Sequence, residues 1–277
     1  NGVSLVFAQP SLMALMADYF ACRDCCTGYR RGFEQVVRSL VAFAQRDDVT
    51  ALDVATVNAW LATVHRSAAT RRNYRNTILA LWGWLAREGM ASPAAPEKIR
   101  RPQVRVGVPQ CWTVEEVRQL LSVARRLAGA LPNGVAQAAY WWAAIRLAWE
   151  TGLRRSDVWR VSMDDVVRDL LVVVSAKSGQ RTVHQLTAET VQSLQVIARP
   201  WPLLWPYRPN RFGLHFERIV QAAGIRRGTF KWLRRSSGSY VAANHGEAAG
   251  AQHLGHTSLA TFRRYYDARL VGHSRPM

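Results

Sequence analysis

Apolar residues recur every three or four positions through most of the first ninety residues. Phe33, Val36, Val37, Leu40 and Phe43 mark one helical face, with Arg31 and Arg38 off that stripe. A second amphipathic stretch runs from Val54 to Val64. Ser67 and Thr70 offer caps to a further helix through Ile78, Leu81, Trp82 and Leu85, and Gly89 marks its stop. The pattern predicts helices throughout residues 1–90.

From Ala91 to Pro109 the periodicity is lost. Pro93, Pro96, Pro102 and Pro109 forbid a continuous helix, and Lys98, Arg100, Arg101 and Arg105 accompany them, so residues 91–111 are expected to form a basic linker. Thr113-Val-Glu-Glu116 matches a capping box and opens a second domain, 112–277. Ala136 to Glu150 reads as a mostly buried helix with Trp141, Trp142, Ile145 and Trp149 as its bulk. Leu170 to Val174 is a β-branched run typical of a strand, Lys177-Ser-Gly179-Gln180 a turn, and Arg181 to Leu186 the returning strand. A proline- and tryptophan-rich connection, Pro200 to Pro209, precedes helices and short loops that reach Leu270. The expected fold is mainly α with a small antiparallel β-sheet, a helical domain followed by an α+β domain.

Charge narrows the partner. Lysine and arginine total 37 against 19 acids, a formal charge of +18. An excess this size points to a polyanion, because each neutralised phosphate releases counterions, and affinity should then fall steeply with salt. The richest apolar run, Ala138 to Trp149, is short and contains Arg146, so no membrane span is expected. The opening Asn1 to Phe7 has no basic start and does not resemble a signal peptide. Four cysteines are too few for a disulfide framework; Cys22-x-x-Cys25-Cys26 has no second ligand pair beyond Cys111, so no metal is expected.

Several basic clusters remain. Arg71, Arg72 and Arg75 open a helix whose dipole favours acids there, a conflict that phosphates would resolve. Thr151-Gly-Leu-Arg154-Arg-Ser-Asp157 follows the buried helix, and Lys177 sits at the hairpin tip. Lys231-Trp-Leu-Arg234-Arg235 starts a helix, and Leu254-Gly-His256 precedes Tyr265 and Tyr266. Singly, each is an ordinary surface arginine, a solvated turn lysine or a helix-end histidine. In this order they resemble the tyrosine recombinase (phage integrase) family over nearly the whole chain. Thr-Gly-Leu-Arg154 resembles its first arginine box, Ala176-Lys177 its hairpin lysine, and Lys231-x-x-Arg234 its His-or-Lys-x-x-Arg box. His256 stands nine residues before Tyr265, the family's spacing. Lys231 departs from the commoner histidine, and so does Arg235.

The resemblance implies a helical core-binding domain and an α+β catalytic domain. It also implies a site-specific recombinase that cuts and rejoins double-stranded DNA through a 3′-phosphotyrosyl intermediate, with no cofactor and no obligatory metal. Arg154 and Arg234 would clamp two phosphate oxygens, since the guanidinium fork matches them. Lys177 would protonate the leaving 5′-hydroxyl, His256 would hydrogen-bond the phosphate, and Lys231 would stabilise charge. Asp157 would orient an arginine. Arg71, Arg72, Arg75, Arg100, Arg101 and Arg235 would contact DNA, both domains gripping one duplex. Tyr265 is the expected nucleophile on a second ground. At about 100° per residue, Leu259, Phe262, Tyr266 and Leu270 share one helical stripe and Tyr265 points away from it. Family members work as tetramers on DNA, so self-association is expected, with Asp267 to Met277 docking on a neighbour. A cytoplasmic, nucleoid-associated protein with no membrane partner follows. A type IB topoisomerase and a catalytically decayed DNA-binding protein are the alternatives; Lys231 and Arg235 would be the marks of decay.

Overall fold

The computed structural model describes residues 10–105, 107–177, 179–199, 202 and 209–267. The chain divides into two compact units, Asn1–Val106 and Gly107–Met277.

The described residues of the first unit form the α-helices α1 (Leu12–Ala21), α2 (Thr27–Ala44), α3 (Val54–Thr63) and α4 (Ala68–Arg87). Ser11, Asp53 and Ser67 cap α1, α3 and α4 by accepting hydrogen bonds from first-turn amides, which satisfies donors the helix itself leaves open. Phe33, Val36, Val37 and Leu40 enter a shared core with Trp60, Ile78, Leu81 and Leu85. Phe43 belongs to the sequence stripe but is 39% exposed, because α2 ends at Ala44 and Gln45 turns left-handed. Gly89, at φ +71°, stands just beyond the end of α4.

The proline-rich segment is not a loose linker over its first half. Ile99 is buried in the core of this unit. Arg75 donates to the carbonyls of Ile99 and Pro96, Arg72 to that of Pro102, and Asn58 brackets the strap by donating to Lys98 O and accepting from Arg100 N. Proline removes the amides that a helix would need, and arginine side chains satisfy the carbonyls left over.

The second unit begins with α5 (Val114–Arg125), whose Thr113–Glu116 capping box is complete in both directions. Helix α6 (Gln137–Thr151) is its axis, packing against α5, against α8 (Ala188–Ile197) and against α10 (Lys231–His253). Tyr140, Trp141, Ala144, Ile145 and Leu147 are wholly buried there. Trp142 and Trp149 are only half-buried: Arg125 covers the Trp142 ring at 3.7 Å, and Tyr240 packs on Trp149 at 5.6 Å. Between α6 and α8 lie α7 (Arg155–Val158) and three antiparallel strands, β1 (Val166–Val167), β2 (Leu170–Val174) and β3 (Arg181–Gln185), in the order β1-β2-β3. The register pairs Val174 with Arg181 and Leu171 with His184. After α9 (Pro209–Ala222), α10 breaks at Gly246 (φ 86°, ψ 164°), and α11 spans only Leu259–Phe262.

That short α11 corrects the expected helix through Tyr266. The regular helix ends at Phe262, although Arg263 keeps αR angles and Tyr266 N still reaches Phe262 O at 3.3 Å, and Leu259, placed by the stripe in the core, is 42% exposed. Residues 268–277, expected to dock on a neighbour, lie outside the described residues, as does most of the 200–209 connection.

Candidate active site

Gly152 ends α6 in the left-handed region, at φ +58°, and turns the chain so that Arg154 caps α7. A Cβ there would lie 2.6 Å from the Leu254 side chain and 3.0 Å from the His253 ring, so the turn requires glycine on both counts. Arg154, Lys177, Lys231, Arg234 and Tyr265 line one cleft of about 750 Å³, together with Arg155, Ser156 and Trp159.

Arg234 is only 5% exposed. One terminal nitrogen donates to Gly152 O at 2.5 Å; the other donates to Leu254 O at 2.7 Å and to His256 Nε2 at 3.1 Å. Most of its fork is therefore spent on the frame, joining the first arginine box to the Leu-Gly-His turn. Burial, and then the Arg154 guanidinium, push its pKa down to about 10. Arg154 is more open, with a 3.2 Å bond to Ser175 Oγ and Asp157 Oδ2 at 3.9 Å.

Asp157, expected to orient an arginine, makes its shorter bond to the hairpin. It accepts from Ala176 N at 3.0 Å and from Ser175 Oγ at 3.4 Å. The carboxylate thus ties the base of the hairpin that carries Lys177 to the helix that follows Arg154. Lys177 itself is exposed, beside Gly179 at φ +66°.

An arginine has no acceptor, so the Arg234–His256 bond places the His256 proton on Nδ1. That Nδ1 is buried and has no protein partner among the described residues. Burial, then Arg234 and Arg154, hold the His256 pKa down at about 4, so the ring is neutral at pH 7. The Tyr265 ring lies 4.8 Å from the His256 ring, 5.2 Å from Lys231 Nζ and 5.9 Å from the Arg234 guanidinium carbon. Tyr266 faces elsewhere, stacked flat on Phe262 with its hydroxyl donating to Glu247.

Behind Arg234 is a polar layer that sequence reasoning missed. Ser237 Oγ and His253 Nε2 are 2.6 Å apart, Thr182 Oγ1 and His184 Nε2 are 3.0 Å apart, and the two rings meet edge to face at 5.9 Å. The signal for His184 was present: in strand alternation it shares the inward face with Leu171 and Val173. His253 carried no local signal. Burial holds both histidines at about 4, with neighbouring positive groups adding to the effect.

The buried neutral rings make stability depend on pH. The folded pKa values lie below the ordinary 6.5, so between pH 6.5 and 4 the unfolded chain binds protons that the folded chain does not. Stability is fully present above that window and is lost as pH falls through it. Thermal melts should drop steadily from pH 6.5 to 4, with a shallower slope for His253→Gln; a flat profile would contradict the buried neutral rings.

The remaining predicted DNA contacts are distributed. Arg72 and Arg75 hold the strap carbonyls described above, and the buried Nε of Arg71 has no protein partner among the described residues. Arg75, Arg100 and Arg101 line a separate groove of about 890 Å³ in the first unit. Arg235 reaches Gln110 O at 3.4 Å. Among the described residues, no three His, Cys, Asp or Glu side chains are grouped to hold a metal, and no helix is long and apolar enough to cross a membrane.

Residues 111–270 match the phage integrase family. Among solved structures, the chain is similar to a lambda integrase dimer bound to a COC′ core site (18% identity, 91% of this chain and 97% of that one, TM-score 0.71). It is also similar to a lambda integrase tetramer bound to a Holliday junction (17%, 97% and 81%, TM-score 0.75). A third likeness is to the Tn1549 transposon integrase in complex with a circular intermediate DNA (15%, 94% and 98%, TM-score 0.70). At these identities the likeness is one of fold. No curated protein matches the chain.

Proposed function

The chain belongs to the phage integrase family, and from that premise we propose that it is a site-specific DNA recombinase acting through a 3′-phosphotyrosyl intermediate. The observation that carries the reading is the Tyr265 ring within 6 Å of His256, Lys231 and Arg234, in the cleft that Arg154 and Lys177 also line. The phenol gives up its proton to water as its oxygen attacks the scissile phosphorus and the 5′-oxygen leaves, so one phosphodiester replaces another and the bond energy is kept for rejoining. Arg154 offers its open fork to the non-bridging oxygens, and the buried charge of Arg234 stabilises them from behind. The unpartnered Nδ1–H of His256 finds its acceptor in a phosphate oxygen, and Lys231 adds positive charge beside the phenol.

Lys177 donates the proton that the departing oxygen takes up. Its removal is therefore correctable by chemistry. Lys177→Ala should cleave ordinary duplex orders of magnitude more slowly, yet recover on DNA with a 5′-bridging sulfur. A thiol of pKa about 8.5 leaves without a proton donor. No recovery with sulfur would move the proton-donor role elsewhere.

Residues 1–90 act in this reading as the core-binding domain and 112–277 as the catalytic domain. DNA contacts are assigned to Arg71, Arg72, Arg75, Arg100, Arg101 and Arg235. Assembly of four copies on paired duplexes belongs to the same proposal, supported by the lambda integrase tetramer on a Holliday junction. So does residence on the nucleoid, where the substrate lies. The test is a suicide duplex carrying the protein's own site. A covalent adduct separates an enzyme from a binding protein, and Holliday junctions on paired sites separate a recombinase from a topoisomerase.

A further inference from the structure

The geometry points to Glu247 as a positioning residue for the nucleophile, a carboxylate latch that holds the turn carrying Tyr265. The inference rests on the reading of Tyr265 as that nucleophile. After α11 ends at Phe262 the backbone is held by three short-range hydrogen bonds, Arg264 N to Thr261 O at 3.2 Å, Tyr265 N to Phe262 O at 2.7 Å and Tyr266 N to Phe262 O at 3.3 Å. A turn this short does not by itself hold a side chain to a fraction of an ångström. Glu247 supplies the constraint from outside. Its Oε2 accepts from Arg263 Nε at 2.9 Å and its Oε1 from the Tyr266 hydroxyl at 2.5 Å. The two tied residues stand on either side of Tyr265 in the chain. A single carboxylate thus fixes both flanks of the reactive tyrosine.

The carboxylate is itself well placed to serve as an anchor. Glu247 follows Gly246, whose φ of 86° and ψ of 164° break α10 and set the direction of the next residue. Phe262 is wholly buried, and its ring stacks on Tyr266 at 5.1 Å and 2° between planes. A Cβ on Gly250 would lie 2.6 Å from that ring. On the far side, Asp267 N donates to Ser239 Oγ at 2.9 Å. The segment is thus held by a packed ring, a backbone bond and the Glu247 latch, and the latch is the contact that ties side chains on both sides of Tyr265 to one group. Misplacing a nucleophile by about 1 Å costs on the order of 10²-fold in rate, which is the effect available to such a residue.

The experiment is single-turnover adduct formation on a suicide duplex at saturating DNA, with duplex affinity and melting temperature measured beside it. Glu247→Ala should form the Tyr265 adduct about tenfold or more slowly, with affinity unchanged. Glu247→Gln, which keeps an acceptor for Tyr266, should recover much of the rate. Tyr266→Phe should still form the adduct, more slowly than wild type. Adding it to Glu247→Ala should cost nothing further, since both changes open one latch. If Glu247→Ala does not fold, Tyr266→Phe and Arg263→Gln carry the same comparison. A wild-type rate in Glu247→Ala, a loss explained by its unfolded fraction, or additive losses in the double variant would each overturn the latch alone. Absence of an adduct on the wild-type protein would overturn the reading of Tyr265 and the latch with it.

Discussion

Arg234→Lys is expected to lower strand cleavage by about 10²–10³-fold although it keeps a basic side chain. The guanidinium holds three acceptors at once, Gly152 O, Leu254 O and His256 Nε2, from two nitrogens on one rigid plane. An ammonium on a flexible stem is a single point and does not span them. Each buried carbonyl left without a donor costs about 1–3 kcal/mol, so melting temperature should fall as well. The charge is also at risk. Burial and Arg154 bring the arginine down to about 10 and leave it protonated at neutral pH. A lysine starts near 10.4, about two units or more below arginine, and the same burial would bring it toward neutrality. Adduct formation near the wild-type rate by the lysine variant would show that a point charge suffices, and the proposed frame-and-charge role would be wrong.

What was legible beforehand follows from the range of each interaction. The capping box at Thr113 and Glu116, the β2–β3 hairpin and the cap at Ser67 are settled within a few residues, and so they show in the sequence. The motif residues were legible for the same reason: each arginine, lysine or histidine sits in a short contiguous word. Strand β1 was not, since two residues become a strand only by pairing with Leu170 and Leu171. Ser237 and His253 look like unremarkable helix positions until the fold sets them 2.6 Å apart. The packing of the strap's first half is not legible for a similar reason. Its prolines argue against a helix, but only Arg72, Arg75 and Asn58, distant in sequence, turn it into part of a core. At the C-terminal stripe, periodicity predicted a continuing helix, and long-range bonds from Glu247 and Ser239 hold a turn there instead.

Tyr265→Phe is expected to abolish the covalent protein–DNA adduct while leaving folding and duplex binding intact. Although the helix that was to separate the two tyrosines ends early, their separation is achieved by contacts. Tyr266 is stacked on Phe262, and its hydroxyl proton is committed to Glu247, which raises its pKa above the ordinary 10. To attack, it would have to break that bond and become an anion beside a carboxylate. Tyr265 has neither obstacle. Its ring lies against His256 with Lys231 and Arg234 over it, and cations in that position offset the negative charge that gathers around phosphorus as the phenol oxygen attacks. Phenylalanine preserves the ring, so the packing on His256 and the two cation–π contacts survive and the stability change should be small. The oxygen alone is removed, and with it the bond to DNA. Adduct formation by the Tyr265→Phe protein, or its complete loss from Tyr266→Phe, would reverse the assignment.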